Sequence, residues 1–223
     1  MTVEARKIRL LMALRRNGVT DTRVLAAIER IPRERFVPQP FQDQAWEDTA
    51  LPIDLGQTIS QPLIVALMTQ ALGLGQRQTV LEVGTGSGYQ AAVLSRLCRR
   101  VYTVERLHPL LSEAEARFQA LRLDNITTRH GDGTKGWPEQ APFERILVTA
   151  AAGPDAPKDL TDQLAVGGVM VIPLGDDYRS QRVVRIRRTE TGLTREDLWP
   201  VRFVPLLSDP PSPPGTEKPA HSA

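Results

Sequence analysis

The stretch VLEVGTGSGY, residues 80–89, decides the fold class of this chain. An apolar run typical of a buried strand leads into Gly84, Gly86 and Gly88, and an apolar helical pattern follows. Glycines at such a junction let backbone amides approach a ligand, and the positive end of the next helix favours negative charge. The stretch therefore predicts a strand, a ligand-binding loop and a helix in succession.

Short apolar strands alternate with amphipathic helices beyond this stretch. The pattern predicts helices near 89–99, 109–123 and 158–164, and strands at 79–83, 101–105, 126–130, 146–149, 169–172, 183–187 and about 201–206. Such alternation implies a parallel sheet that is covered by helices on both faces. We therefore predict an α/β fold with a doubly wound, mostly parallel sheet.

The residues before this core predict an N-terminal helical cap. Residues 3–16 form one helical pattern, and a second begins after Thr20 and Asp21 and must end near Pro32, because proline lacks the backbone donor. Residues 33–57 hold several prolines and no sustained period, which predicts irregular structure over the face of the core. A further helical stripe follows Gln61.

These patterns predict one domain over residues 1–207, with the helical cap and a loop over the site at 1–57 and the ligand-binding α/β core at 58–207. Residues 208–223, SDPPSPPGTEKPAHSA, are rich in proline and small polar residues. They carry too little apolar surface to offset the entropy of ordering. We expect a disordered tail there.

Composition excludes several classes of protein. The 28 Lys and Arg residues and 26 Asp and Glu residues leave a net charge of +2, too small for a dedicated nucleic-acid binder. No apolar run approaches the roughly 20 residues that cross a bilayer. A single cysteine, Cys98, excludes a disulfide framework and a multi-cysteine zinc site, and no second His or Cys stands at metal spacing from His130. We expect a cytoplasmic monomer with no metal, nucleic acid or membrane partner.

The glycine loop itself distinguishes between two cofactor classes. A dinucleotide fingerprint needs a third glycine where this chain has Tyr89, which disfavours a nicotinamide-dependent oxidoreductase. The remaining pattern, E-x-G-x-G-x-G, resembles motif I of the S-adenosylmethionine-dependent methyltransferases. That resemblance implies S-adenosyl-L-methionine as cofactor, with contacts from Gly84, Thr85, Gly86, Ser87, Gly88 and Tyr89.

Three acidic residues join the loop as candidate cofactor ligands. Glu105 ends the next predicted strand, where a carboxylate can accept both ribose hydroxyls; the alternative is an exposed strand-end carboxylate. Glu82 lies inside an apolar strand, so we expect its carboxylate to bond to backbone amides or to the amino group of the cofactor. Asp132 and Gly133 follow the third strand, where Asp132 could accept from the adenine amino group or simply form a turn.

Several longer segments narrow the resemblance to one family. They are RFVP at 35–38, GQTISQP at 56–62, VLEVGTGSGY, GDGTKGWPEQAPFERILVTAA at 131–151 and VGGVMVIPLG at 166–175. Together they resemble protein-L-isoaspartate O-methyltransferase, a Rossmann-like methyltransferase. The resemblance implies methylation of the free α-carboxylate of L-isoaspartyl residues in damaged proteins and peptides, which initiates repair through a methyl ester and a succinimide.

The resemblance also implies roles for individual residues. Ser60 matches the position assigned to catalysis and would bond the substrate carboxylate, Thr58 lies beside the cofactor, and Val204, Pro205 and Leu206 would help hold the peptide. From the residues alone, Ser60 also resembles the N-cap of the helix that begins at Gln61-Pro62. A carboxylate is already ionised at neutral pH, so catalysis by positioning needs no strong base.

Two departures from the family pattern leave peptide preference open. AAAGPDAP follows Thr149 where the family has a shorter loop, and Glu144 stands where Asp is usual. Two other functions stay open on the residues alone: a methyltransferase that acts on RNA or another small molecule, and a binding module that retains the fold without activity.

Overall fold

Two helices and a short hairpin begin the chain. In the computed structural model, which describes residues 2–208, α1 spans Val3–Arg16 and α2 spans Thr22–Arg30. Strand β1 (Leu51–Pro52) pairs antiparallel with β2 (Thr58–Ile59), and α3 follows at Pro62–Leu72. The predicted helical cap is confirmed, and the stretch predicted as irregular contains 3-10 turns and β1.

Helix α2 shows why the cap folds as the sequence predicts. The Asp21 side chain accepts a hydrogen bond from the Arg23 amide at 2.9 Å and so caps the helix. Val24 and Ile28 are buried, and the helix ends at Arg30, with Ile31 as its C-cap directly before Pro32. This apolar face packs against α3 and joins the cap to the core.

The core alternates strands and helices as predicted. In chain order its elements are β3 (Thr79–Val83), α4 (Tyr89–Ser95), β4 (Arg100–Glu105), α5 (His108–Ala120), β5 (Ile126–His130), β6 (Phe143–Val148), α6 (Lys158–Asp162), β7 (Leu164–Leu174), β8 (Arg182–Thr189) and β9 (Gly192–Pro200). Strands β3 to β9 form one seven-stranded sheet in the order β5-β4-β3-β6-β7-β8-β9.

Strand directions place the site at one edge of this sheet. Strands β3 to β7 run parallel, and β8 and β9 are antiparallel additions. Val83 at the end of β3 pairs with Val104 on one side and with Val148 on the other. The strand order therefore reverses beside β3, the topological switch point at which doubly wound sheets bind ligands.

The last predicted strand is wrong. Residues 201–206 form only an isolated bridge, Ala151 with Pro205, whereas the final strand of the sheet is β9. Strand β9 lies at the edge of the sheet and is largely exposed, so its sequence GLTREDLWP lacks the apolar alternation that predicts a strand. Its position depends on pairing with β8 instead.

Helix α4 ends at Ser95, four residues before the predicted end at 99. The Asn125 side-chain amide donates to the carbonyls of Ser95 at 2.9 Å and Cys98 at 3.3 Å. These bonds satisfy carbonyl groups that a longer helix would have used. A residue from the β5 side therefore ends a helix whose own sequence continues the helical pattern.

Apolar side chains cover both faces of the sheet. One buried cluster joins the cap and α3 to β3, and the other joins β6 and β7 to α6. Within residues 2–208, no helix combines the length and the apolarity that crossing a bilayer requires. The tail predicted at 208–223 lies, apart from Ser208, outside the described residues.

Candidate active site

A cleft of about 1180 Å³ lies at the carboxyl edge of the sheet, above the ends of β3 and β4. Its floor includes Val83 and Val104. Most of the residues that the sequence predicted for the site line this cleft: Thr58, Ser60, Gly84, Thr85, Gly86, Ser87, Tyr89, Glu105, Gly133, Val204, Pro205 and Leu206. Glu82, Gly88 and Asp132 lie outside its lining.

The glycine loop is clamped between β4 and β6. Gly84 has a φ of +95°, and its amide donates to the Val104 carbonyl at 2.9 Å. The Thr149 hydroxyl donates to the Gly84 carbonyl at 2.6 Å, and a Cβ on Gly84 would lie 2.4 Å from that hydroxyl oxygen. No other residue type fits this position without displacing Thr149.

Gly88 serves helix packing. It is the N-terminal boundary residue of α4 with a φ of +88°, and a Cβ there would lie 2.7 Å from the Phe118 ring on α5. The missing side chain lets α4 and α5 approach each other. The glycine predicted to contact the cofactor thus faces a helix instead of the cleft.

Glu105 lies beside the loop with its carboxylate fixed. Oε2 accepts from the Gly86 amide at 2.8 Å, and Oε1 accepts from the Leu107 amide at 2.9 Å. Glu105 is only 7 % exposed and lines the cleft, so the alternative interpretation, an exposed carboxylate at the end of the strand, is wrong. Each oxygen keeps a second lone pair for a ligand hydroxyl.

Glu82 is fully buried beneath the loop. Its Oε2 accepts from the Thr103 hydroxyl at 2.5 Å, a side-chain partner in place of the predicted backbone amides, and its Oε1 has no partner among residues 2–208. Burial, opposed by the Thr103 hydrogen bond and reinforced by the charge of Glu105, raises the pKa of Glu82 to about 8. The carboxyl group is therefore protonated at neutral pH.

Asp132 forms the turn that was its alternative interpretation. Its Oδ1 accepts from the amide of Thr134 at 2.8 Å and from the Thr134 hydroxyl at 2.6 Å. Its neighbour Gly133 lines the cleft and contacts the floor, since a Cβ there would lie 2.4 Å from Cγ1 of Val83. The turn thus brings backbone close to the end of β3.

Ser60 lies at the mouth of the cleft with its hydroxyl free. That hydroxyl makes no hydrogen bond to any part of the chain that the structure describes. Gln61 occupies the N-cap position of α3, so the alternative in which Ser60 caps the helix is wrong. Asp48 caps the first turn of α3 instead, because its Oδ1 accepts from the Leu63 amide at 2.8 Å. Its Oδ2 accepts from the Gln61 side chain at 3.0 Å.

A buried arginine that the sequence did not reveal holds the Ser60 backbone. Arg33 is 0 % exposed, and its Nη2 donates to the Ser60 carbonyl at 3.0 Å and to the Thr49 carbonyl at 3.4 Å. Its guanidinium carbon lies 4.8 Å from the centre of the Tyr89 ring. Burial lowers the pKa of Arg33 and the nearby charge of Asp48 opposes that shift, although no carboxylate within residues 2–208 lies within ion-pair distance of the guanidinium.

The segment predicted to hold the peptide is tied to the loop after β6. The Ala151 amide donates to the Val204 carbonyl at 2.8 Å, and the Leu206 amide donates to the Ala151 carbonyl at 2.7 Å. Ala150, Ala151 and Ala152, which begin the loop that differs from the family pattern, are buried. This loop therefore supports the Val204–Leu206 wall.

A second cleft, of about 1240 Å³, adjoins the first. Thr58, Ser60 and Tyr178 line both clefts. Its other lining residues come from the loop before β2, the start of α3 and two C-terminal stretches: Asp48, Thr49, Ala50, Gln61, Ile64, Arg179, Pro200, Val201, Arg202 and Phe203. The free Ser60 hydroxyl thus lies where the two clefts meet.

Sequence reasoning missed Thr149, Gln90 and Tyr178, which also line the first cleft. Thr149 directly follows β6 at the carboxyl edge, a position that the topology could have flagged. Tyr178 lies in the loop between β7 and β8 and carries no local signal.

The cysteine and the histidine that the sequence analysis considered do not line either cleft. Cys98 is a buried free thiol whose pKa burial raises to about 12. His130 contacts the Arg106 carbonyl at 3.1 Å and packs edge-on against His108. Across residues 2–208, no three His, Cys, Asp or Glu side chains are grouped as a metal site would require.

Comparison with known proteins gives one consistent result. Residues 5–210 match the family model for protein-L-isoaspartate(D-aspartate) O-methyltransferase. The chain is 74 % identical over 209 residues to the protein-L-isoaspartate O-methyltransferase of Rhodospirillum centenum, with 94 % of this chain and 95 % of the relative covered. It is 66 % identical to that of Rhodospirillum rubrum, over 95 % of this chain and 97 % of the relative.

A solved structure extends the likeness to the fold. A Plasmodium falciparum protein described as a protein-L-isoaspartate O-methyltransferase, in complex with S-adenosyl-L-homocysteine, superposes with a TM-score of 0.79 at 26 % identity. The alignment covers 90 % of this chain and 98 % of that chain. The predicted doubly wound methyltransferase fold is confirmed by this match and by the strand order.

Proposed function

The chain belongs to the protein-L-isoaspartate(D-aspartate) O-methyltransferase family, and from this premise we propose how its two clefts share the reaction. The protein transfers a methyl group from S-adenosyl-L-methionine to the free α-carboxylate of L-isoaspartyl residues in damaged proteins and peptides. The observation that carries our assignment of the site is the free Ser60 hydroxyl at the junction of the two clefts.

The first cleft fits the cofactor. S-adenosyl-L-methionine, when bound, supplies an electrophilic methyl group on a sulfonium sulfur. Gly84, Gly86 and Gly133 leave backbone open to a ligand, and Glu105 offers a carboxylate already fixed by two amides to accept ribose hydroxyls. We assign cofactor contacts to this loop, to Thr58 and to Glu105, whereas Glu82, Gly88 and Asp132 lie outside the lining of the cleft.

We assign the substrate carboxylate to Ser60. A hydroxyl without an internal partner can donate to a carboxylate oxygen and hold it in one orientation. The carboxylate is already the nucleophile at neutral pH, so the chain supplies orientation and exclusion of water instead of a base. Thr58 lies exposed beside Ser60, and Val204, Pro205 and Leu206 form the wall along which the peptide would lie.

The product ester explains why one transfer initiates repair. The neighbouring backbone nitrogen attacks the ester carbonyl carbon and expels methanol, which a free carboxylate cannot do because it would have to lose an oxide. The resulting succinimide then hydrolyses, which returns part of the material to the normal aspartyl linkage. These later steps need no residue of the chain. The enzyme therefore has to recognise the isoaspartyl linkage and place its carboxylate.

Transfer of labelled methyl to matched peptides tests this function. Two peptides that differ only in an isoaspartyl or an aspartyl linkage are incubated with the full chain and labelled S-adenosyl-L-methionine. We expect base-labile label on the isoaspartyl peptide alone. Equal labelling of both peptides, or label on neither while the protein binds cofactor in calorimetry, would contradict it.

We further propose that the protein acts in the cytoplasm as a monomer without a nucleic-acid partner. The buried free thiol of Cys98 suits a reducing compartment, and the net charge of +2 provides no polyelectrolyte field. Light scattering after size-exclusion chromatography tests the oligomeric state. A dimer mass at working concentration would contradict the monomer.

A further inference from the structure

The second cleft carries an unbalanced charge. Two of its lining residues, Arg179 and Arg202, have exposed side chains that make no hydrogen bond or ion pair within residues 2–208. Its acidic lining residue, Asp48, already accepts from the Leu63 amide and the Gln61 side chain. Both donors are neutral, so Asp48 keeps its negative charge, and the charged lining residues Asp48, Arg179 and Arg202 together leave the cleft with a net charge of +1.

The backbone on both sides of the cleft is held in place. Asp177 accepts from the amides of Arg179 at 2.7 Å and Ser180 at 2.9 Å, which fixes the loop that carries Arg179. The buried side chain of Gln181 accepts from the Phe203 amide at 2.6 Å and donates to the Phe203 carbonyl at 3.2 Å. Gln181 thus connects this loop to the stretch that carries Arg202.

We propose that the second cleft holds the residues that flank the isoaspartyl residue and that Arg179 and Arg202 select acidic side chains there. This proposal rests on the proposed function, because it places the isoaspartyl carboxylate at Ser60, which both clefts share. A peptide that extends from Ser60 enters the second cleft with its neighbouring side chains. Acidic side chains there meet two unpaired guanidinium groups, and basic ones meet repulsion.

The preference should be modest and sensitive to salt. Exposed ion pairs contribute little because water and salt screen them, so we expect each arginine to change kcat/KM by about 2- to 5-fold. The effect should appear mainly in KM, since the flanking residue takes no part in the transfer. Raising the ionic strength should reduce the preference.

Three isoaspartyl peptides of equal length test the proposal. They carry Glu, Gln or Lys at the positions next to the isoaspartyl residue, in separate sets for the N-terminal and C-terminal sides. Each is assayed with the wild-type chain and with the variants Arg179→Gln, Arg202→Gln and the double variant. Arg187→Gln is the matched control, because Arg187 is an exposed residue of β8 outside both clefts.

The reported quantity is the ratio of kcat/KM for the Glu peptide to that for the Lys peptide. We expect a ratio above one in the wild type and the control, on at least one side, that falls toward one in the double variant. A wild-type ratio of one on both sides would overturn the proposal, as would a ratio that the double variant retains. If no isoaspartyl peptide is methylated at all, the Gln peptide included, the proposed function fails first and this inference fails with it.

Discussion

The two clefts meet at Ser60, yet the chain builds them by different means. On the cofactor side the backbone is constrained by close packing, as at Gly84, where no space exists for a Cβ. On the peptide side the backbone is held by polar side chains from distant segments, because Arg33 binds Ser60 across 27 residues and Asp48 binds Leu63 across 15. A glycine that close packing requires is visible in the local sequence, whereas the partner of a long-range hydrogen bond, such as Thr149 for Gly84 or Arg33 for Ser60, depends on the finished fold.

The largest expected effect follows from a Cβ on the cofactor side. Gly84→Ala combines a φ of +95° with a contact 2.4 Å from the Thr149 hydroxyl oxygen, which is itself bonded to the Gly84 carbonyl. Overpacking and backbone strain of this kind cost about 3 kcal/mol. We expect binding of S-adenosyl-L-homocysteine, measured by calorimetry, to weaken by about 100-fold at that cost.

Gly75→Ala is the matched control for that variant. Gly75 has no positive φ, and a Cβ there would meet only the Gln78 side chain at an ordinary 3.5 Å. We expect it to bind S-adenosyl-L-homocysteine like the wild type. Normal binding by Gly84→Ala would show that the glycine loop can shift to accommodate a Cβ. Close packing would then not constrain the backbone on the cofactor side.

Removing the Ser60 hydroxyl should lower the rate of methyl transfer and leave cofactor binding unchanged. Since a hydrogen bond to a charged group contributes about 1.5–3 kcal/mol, we expect Ser60→Ala to lower kcat/KM for an isoaspartyl peptide by about 10- to 100-fold. Thermal stability should not change, because that hydroxyl has no hydrogen-bond partner within residues 2–208. Ser112→Ala, on the exposed surface of α5, is the control. A folded Ser60→Ala protein with full turnover would remove Ser60 from the reaction.

The difference between local and long-range constraints also determines how much of the structure the sequence predicts. Strands β3 and β5 match their predicted bounds because each is a short run that ends at glycine or at a turn. The burial of Glu82 follows from its apolar neighbours, but its partner Thr103 becomes evident only once β3 is paired with β4 in register. Local pattern thus predicts the glycine loop and Glu105 on the cofactor side, whereas Thr103, Thr149 and Gln90 depend on the fold.

Prediction fails where tertiary contacts override local pattern. Arg33 stands in a proline-rich stretch that favours an exposed loop, and nothing nearby indicates that its guanidinium is buried against Tyr89. Strand β9 is polar because it lies at the sheet edge. Tyr178 reaches both clefts from a loop whose sequence carries no binding motif.

Replacing Arg33 should affect turnover more than stability. Arg33→Met removes a buried charge that has no ion-pair partner within residues 2–208, which relieves a desolvation cost, but it also frees the Ser60 carbonyl. These opposing terms should leave the unfolding free energy within about 1 kcal/mol of the wild type. Because Ser60 loses its backbone support, we expect kcat to fall by about 10-fold.

Conservative and control variants distinguish positioning from a general structural role. Arg33→Lys keeps a donor that can reach the Ser60 carbonyl and should recover part of kcat. Arg35→Met, an exposed neighbour, should retain wild-type kcat. If Arg33→Met loses several kcal/mol of stability, or if Arg33→Lys recovers nothing, Arg33 does not act by positioning Ser60.

The effect that is smallest per pH unit concerns Glu82, a buried polar residue on the cofactor side. Its folded pKa of about 8 exceeds the ordinary value of 4.5, so the folded chain holds a proton that the unfolded chain releases across that range. The unfolding free energy then decreases as pH rises through this window, by at most about 1.4 kcal/mol per pH unit, and the loss is complete above pH 8. Glu82→Gln abolishes this term, so denaturant unfolding at several pH values should show the variant gaining stability over the wild type from pH 5 to about 8. A constant difference between the two proteins across that range would mean that Glu82 is charged in the folded state.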